Sequence, residues 1–220
     1  MKTDITLGMK VHEHLKGLGI ETPMTSNIPK KEEQFLTIQK NIKESMEVLG
    51  LDLTDDSLIE TPKRVAKMWI NELFSGLDYS NFPKVTAIEN KMQYDEMVLV
   101  SNITANSSCE HHLITVEQKV HIAYIPKDTV IGLSKLSRIA KFFGQRPEVQ
   151  ERYCAQVFET LKYILGTEDV AVSVEGRHFC MIARGVEDVN AVTTTNKFGG
   201  SFQTNPSTRS EFLASIRGTK

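Results

Sequence analysis

The sequence predicts an α+β protein in which helices come first and an antiparallel sheet follows, with two helices inserted between its strands. Three observations carry this. Apolar residues recur at helical spacing through the first third of the chain, the pattern changes to alternation from about Pro83, and two further helical stripes interrupt the strands between Ser134 and Gly166. With 220 residues, 40% hydrophobic and 25% charged, the chain can bury a core in one or two domains.

Phe35, Ile38, Ile42, Met46 and Leu49 line one face of a first amphipathic helix that Gly50 ends. Thr61-Pro62 supplies a capping residue followed by proline at the first helical position, and Val65, Met68, Trp69 and Leu73 carry a second helix to Gly76. Residues 97–100 and 116–125 then alternate as strands, with Val120, Ile122 and Tyr124 set against Lys119 and His121. Leu136, Ile139, Ala140 and Phe143 predict a helix from about Ser134. Val149, Tyr153, Val157, Leu161 and Ile164 predict another that starts at Pro147 and closes at Gly166. Val170, Val172 and Val174 alternate as a strand. If the phase survives Gly176, which could instead mark a bulge, His178 and Cys180 project from one face of that strand. Thr208 with Glu211 forms a capping box for a terminal helix through Phe212, Leu213 and Ile216.

A formal net charge of -2 gives no general attraction to nucleic acid or to an anionic membrane surface. No apolar run approaches membrane length, and the N-terminus lacks a signal-peptide pattern, so the cytoplasm is the expected location. Three cysteines, an odd number, are expected to be reduced thiols.

Two short clusters combine thiol and imidazole: Cys109, His111 and His112 in one, His178 and Cys180 in the other. Thiolate and imidazole are the ligands zinc prefers, and a catalytic zinc keeps three protein ligands with a fourth position open. Singly, a buried cysteine is more often a small hydrophobe and a histidine a hydrogen-bonded side chain. Five such residues on elements able to lie side by side point instead to a metal site, although the spacing is no standard finger signature. Cys154 sits alone in a helical stripe and is expected to pack. Ser134, Lys135 and Arg138 stand where a helix begins and could converge on a phosphate, or could be a serine cap followed by solvated cations. No Walker loop or dinucleotide fingerprint is present. Gln150 and Glu151 offer an amide and a carboxylate that can read the N–H edge of a purine, although on a charged helix face such a pair is ordinarily just exposed.

The strings Glu60-Thr61-Pro62-Lys63-Arg64-Val65-Ala66-Lys67-Met68, Ser107-Ser108-Cys109-Glu110-His111-His112, Ala123-Tyr124-Ile125-Pro126, Ile131-Gly132-Leu133-Ser134-Lys135, Phe143-Gly144-Gln145-Arg146-Pro147, Val149-Gln150-Glu151-Arg152 and Ala183-Arg184-Gly185-Val186 resemble GTP cyclohydrolase I of the bacterial type. They occur in the family's order from about Val11 to Arg217. The resemblance implies a zinc-dependent enzyme that hydrolyses GTP at guanine C8, releases formate and recloses the ring to 7,8-dihydroneopterin triphosphate, the first step of pterin and folate biosynthesis. By it, Cys109, His112 and Cys180 are the zinc ligands and His111 and His178 the catalytic histidines. Ser134, Lys135, Arg138, Arg184 and Lys67 surround the ribose and triphosphate, Gln150 and Glu151 bind guanine, and Ile131 and Leu133 wall the pocket. It further implies the tunnelling fold, with a helical region over residues 1–80 and a catalytic domain over residues 81–220 acting as one unit. The sheets of several subunits join into a barrel, as a decamer of two pentamers with interface active sites. Two other readings make different predictions. A zinc-stabilised binding module would return its nucleotide unchanged, and a nitrile reductase on the same fold would need nicotinamide, for which no dinucleotide fingerprint is seen.

Overall fold

A computed structural model describes residues 2–217. It has the expected α+β composition, and the chain divides into two compact units, one comprising Met1–Thr22 with Gly76–Lys220, the other Pro23–Ser75. No described helix is long and apolar enough to cross a membrane.

The first helix, α1 (Ile5–Gly17), is capped by Asp4, whose carboxylate accepts from the Leu7 amide at 3.0 Å. Val11 and Leu15 are fully buried in the core that α1 shares with the sheet, and Gly8 lets the helix lie close to the Tyr79–Asn81 turn, where a Cβ would collide with the Tyr79 carbonyl. Within the Pro23–Ser75 unit, α2 (Lys31–Val48) turns most of its predicted face inward: Met46 is buried and Phe35, Ile38 and Ile42 half-buried, whereas Leu49 caps the helix and is exposed, and Gly50 follows at a φ of +81°. α3 (Thr61–Met68) begins at Thr61 with Pro62 in its first turn, then loosens into a π-helical turn over Trp69–Leu73. The single helix expected as far as Gly76 is therefore two pieces.

The strands are β1 (Ala87–Glu89), β2 (Val98–Thr104), β3 (Ser107–Cys109), β4 (Thr115–Tyr124), β5 (Thr129–Ile131), β6 (Pro147–Glu148), β7 (Val170–His178) and β8 (Thr193–Phe198). β1 and β5 form a small ribbon; the other six make one sheet ordered β6-β3-β4-β7-β8, with β2 also along β4. Only the β3–β6 pair is parallel among those in the sheet. β4 and β7 pair without interruption from Val116↔His178 to Tyr124↔Val170, which sets Val120, Ile122 and Tyr124 beside Val174, Val172 and Val170. All six are at most 1% exposed and join a core with residues of α4 (Leu133–Gly144) and α5 (Gln150–Leu165). The opposite sheet face is not left to water: Ala123 and Ala171 pack with Phe202 of α7 (Gly200–Thr204) and with Phe212 and Ile216 of α8 (Pro206–Arg217).

Four local expectations change. Gly176 keeps register with Gln118 and Thr193, so there is no bulge there; the irregularity lies in β2 between Val100 and Ile103, with Asn102 at a φ of +56°. After His178 the chain turns into α6 (Phe179–Ile182), so Cys180 lies on a helical turn and not on the strand with His178. Pro147 does not start α5: Pro147 and Glu148 pair with Ser108 and Cys109, and the helix begins at Gln150. The cap of α8 is Asn205, accepting from the Ser207 amide at 2.9 Å, which places Thr208 and Glu211 inside the helix.

Arg146, between α4 and β6, is fully buried and organises its surroundings. One guanidinium nitrogen donates to Glu21 at 3.2 Å, to the Thr22 hydroxyl at 3.4 Å and to the Tyr79 hydroxyl at 3.4 Å, and the other to the Gly76 carbonyl. The rings of Phe143, Phe142 and Tyr79 surround the cation at 4.8, 5.0 and 5.2 Å. Glu21 also accepts from Tyr79 at 2.6 Å and from the adjacent Thr22 amide at 2.8 Å. Nearby, both oxygens of the buried Glu148 carboxyl lack a hydrogen-bond donor among the described residues. Burial pushes this carboxyl up to about 8, against the opposing pull of Arg146 and Arg152.

Glu21→Ala leaves the Arg146 cation buried without its carboxylate and is expected to lower the unfolding free energy by about 3–5 kcal/mol, read from urea denaturation. Glu148 favours its protonated form in the folded state, so its contribution is complete below the ordinary value of 4.5 and is lost as pH rises through about 8. Glu148→Gln, neutral throughout, is accordingly expected to match the parent protein at about pH 4 and to exceed its stability at about pH 9. Denaturation curves at the two pH values check the sign.

Candidate functional site

β3 ends at Cys109, and a tight reversal brings the chain back into β4. The Leu113 amide donates to the Cys109 carbonyl at 2.8 Å, the Cys109 amide to Ile114 O at 2.8 Å, and Leu113 takes a φ of +53°. This reversal carries Glu110, His111 and His112. β6 holds its base, with the Glu110 amide donating to Glu148 O at 3.1 Å, and the Glu110 carboxylate meets Arg152 of α5 at 2.6 Å. Across β4, the β7 register sets His178 opposite Val116, and the α6 turn folds Cys180 back toward the reversal.

The ligand atoms of Cys109, His112 and Cys180 lie within 4.8 Å of one another, the one such group among the described residues. Cys109 Sγ is 3.8 Å from His112 Nδ1 and 3.7 Å from His111 Nδ1. The two histidines are thus equally near that thiol, but only His112 belongs to the three-residue group. Both thiols are buried, at 6% and 8% exposure, and Val116 and Ile114 pack on them. Burial, followed by the adjoining Cys109 thiol, holds the Cys180 thiol above its ordinary value. A divalent cation would reverse that preference by favouring thiolates. Two sulfurs and one imidazole with a further position free are a donor set that fits zinc. Arg184, just beyond α6, places Nη1 3.3 Å from His112 Nε2 and 3.3 Å from the Cys180 carbonyl.

His178 is half-buried, and its Nε2 stands 2.8 Å from Gln150 Oε1. Burial lowers its pKa, with Glu151 opposing. Gln150 is buried while its neighbour Glu151 is exposed in the first turn of α5. Ser134, Lys135 and Arg138 form a separate group on the first turns of α4. The helix is capped by Gly132 without a side-chain bond, so Ser134 is exposed within the helix and is not its cap. Ile131 is buried at the end of β5 and its amide is held by the Tyr124 hydroxyl at 3.2 Å, whereas Leu133 is exposed. Lys67 is exposed on α3, in the Pro23–Ser75 unit. Cys154 packs as expected: it is 2% exposed, and burial raises its thiol to about 12.

The sequence reading missed the Glu110–Arg152 pair and the close approach of Gln150 to Gly176 and His178. A glycine inside a strand is a signal of close approach as much as of a bulge, and Gly176 carried it.

A sequence model of the GTP cyclohydrolase I family matches residues 38–217. The GTP cyclohydrolase 1 of Aeromonas salmonicida is 52% identical over 208 residues, covering 94% of this chain and 95% of the relative. That of Serratia proteamaculans is 52% identical over 207 residues, 94% of each chain. That of Photobacterium profundum is 52% identical over 209 residues, 95% of this chain and 96% of its own.

Arg152 is joined to the Cys109–His112 reversal by its ion pair with Glu110. Arg152→Met is expected to weaken divalent-metal affinity by about tenfold or more while leaving all three donor residues in place, measured by competition with a chromophoric chelator.

Proposed function

The chain belongs to the GTP cyclohydrolase I family, and from that premise we propose that it opens the imidazole ring of GTP at C8 with the help of zinc held by Cys109, His112 and Cys180. The products are formate and 7,8-dihydroneopterin triphosphate. The observation that carries this reading is the three-residue donor group lying within 4.8 Å, with His178 at the end of the strand beside it. Its α+β architecture, with an antiparallel sheet around β4 and β7, is the tunnelling fold expected of the family.

Water attack on an aromatic carbon is slow, and zinc bound by these residues would supply the Lewis acidity for activating that water. His178 delivers a proton to the purine nitrogen as the ring loses aromaticity. Burial lowers its pKa, with Glu151 opposing, which favours release of the proton once the ring carries it. His111, on the same reversal as His112, serves the later opening and rearrangement of the ribose. Glu151 accepts from guanine N1–H and the 2-amino group. Adenine would leave that carboxylate facing an acceptor at N1, which gives selectivity for guanine. Ser134, Lys135 and Arg138, with Arg184 and Lys67, hold the ribose and triphosphate, so the substrate stays anchored through several intermediates. Ile131 and Leu133 line the apolar side.

Among the described residues β8 pairs only with β7, so the sheet ends there in an open edge. Pairing that edge with another copy removes a row of unsatisfied backbone groups, which supports assembly into a closed barrel and a decamer of two pentamers. A reduced thiol pair at the metal fits a cytoplasmic location.

Incubation of zinc-replete protein with GTP is expected to yield formate and, after oxidation, a fluorescent pterin; recovery of unchanged nucleotide would favour a binding module instead. Cys109→Ser and Cys180→Ser are expected to lose both bound zinc and turnover. His178→Ala should keep most of its zinc and lose about 100-fold or more in kcat. Zinc content by elemental analysis alongside the formate assay separates the two classes of residue, and full activity in a zinc-free Cys180→Ser protein would refute the ligand assignment.

A further inference from the structure

Gln150 is 3% exposed, and chemistry permits its amide only one orientation. Nε2 lies 3.0 Å from the Val174 carbonyl, 3.0 Å from the Thr193 carbonyl and 3.3 Å from the Thr195 hydroxyl. Backbone carbonyls only accept, so the NH2 group must face them and Oε1 must point the other way. That oxygen is 2.8 Å from His178 Nε2. An amide oxygen cannot donate, so Nε2 carries the hydrogen and the neutral ring has its lone pair on Nδ1.

Gly176 provides an independent sign that this contact is built. A Cβ there would collide with Gln150 Oε1 and stand 3.0 Å from its Cδ and 3.3 Å from His178 Nε2. The backbone does not call for glycine, because residue 176 is regularly paired on both sides and is not among those with positive φ. What the missing side chain leaves is room for the amide.

We propose that Gln150, seated by Gly176, is a positioning residue that holds His178 in its Nε2–H tautomer, so that Nδ1 is the nitrogen that takes and gives protons during turnover. This rests on the reading of His178 as the proton-transfer residue. Neutral His178 accepts at Nδ1 the proton lost by the water that adds to C8 and becomes imidazolium; passing that proton to the purine nitrogen restores the neutral ring. Nε2–H donates to the same Gln150 oxygen in both charge states, so the ring need not turn between them. Donation from the Gln150 NH2 group to guanine would instead require it to abandon the two carbonyls and the hydroxyl.

The test uses zinc-loaded protein carrying 15N-labelled histidine, with the His178 signals identified by their loss in His178→Ala. With the ring neutral, wild-type His178 is expected to show a protonated Nε2 and an unprotonated Nδ1. In Gln150→Leu and Gly176→Ala the hydrogen is expected to be shared between the two nitrogens, and kcat to fall about tenfold or more with KM for GTP within about twofold. Gly176→Ala matters because it disturbs the contact while leaving Gln150 in the chain. A wild-type Nδ1–H tautomer overturns the proposal even if both variants fail to fold. So does an unchanged tautomer in both variants, or a rise in KM alone in Gln150→Leu. Wild-type turnover by His178→Ala would refute the catalytic reading, and this role with it, even where the tautomer is as expected.

Discussion

A buried guanidinium needs its charge and most of its donors met; both terminal nitrogens of Arg146 are paired while its Nε has no partner among the described residues, and these contacts fix the chain on which the site is hung. Its partners come from Glu21 and Thr22 after α1, from Gly76 and from Tyr79, while three aromatic rings enclose it. Residues distant in sequence are thereby tied to the junction between α4 and α5. Gly76 shows how tight that junction is: a Cβ would meet the Phe142 and Gln145 carbonyls, and its own amide donates to Gln145 O at 2.8 Å.

Two residues past Arg146 stands Glu148, and two further on Gln150 opens α5. β6 is therefore both the clamp on the Cys109–His112 reversal and the lead into the helix that supports His178. Arg152, in the first turn of α5, returns to Glu110 on the reversal and closes the loop. The uninterrupted β4–β7 ladder supplies the other half of the geometry, since the Val116↔His178 pair places the second cluster opposite the strand that follows the first. The first cluster is tied to β6 by the Glu110 amide, and the second to the start of α5 by Gln150, both within four residues of the buried arginine.

What could be read from sequence is what periodicity reports. The inward faces of α2, α4 and α5 and the alternation of β4 and β7 appear as spaced apolar residues, because burial on one side of a regular element leaves that trace. β6 leaves none: two residues have no period, and Pro147 is as good a helix start as a strand. The turn at α6 was hidden for the same reason, with four residues after a strand whose alternation ran smoothly to His178. The five thiol and imidazole residues were visible as a group through their chemistry, but their division into ligands and proton carriers came from resemblance. Periodicity is silent on Arg146 as well, since an arginine in a loop is ordinarily exposed and only its partners, remote in sequence, account for its burial.

Gln150 and Glu151 illustrate how a motif can be carried as a unit when its members do different work. Consecutive residues on an α-helix project about 100° apart, so two neighbours in one turn do not present their side chains to the same target. Here the first is buried and its amide is committed to Val174, Thr193, Thr195 and His178, while the second is exposed. On the roles proposed above, the outward carboxylate accepts from the edge of a purine and the inward amide orients the histidine that protonates it. Recognition and proton transfer would then be coupled through one turn of helix, because a shift of α5 that moved Glu151 would also disturb Gln150 beside His178.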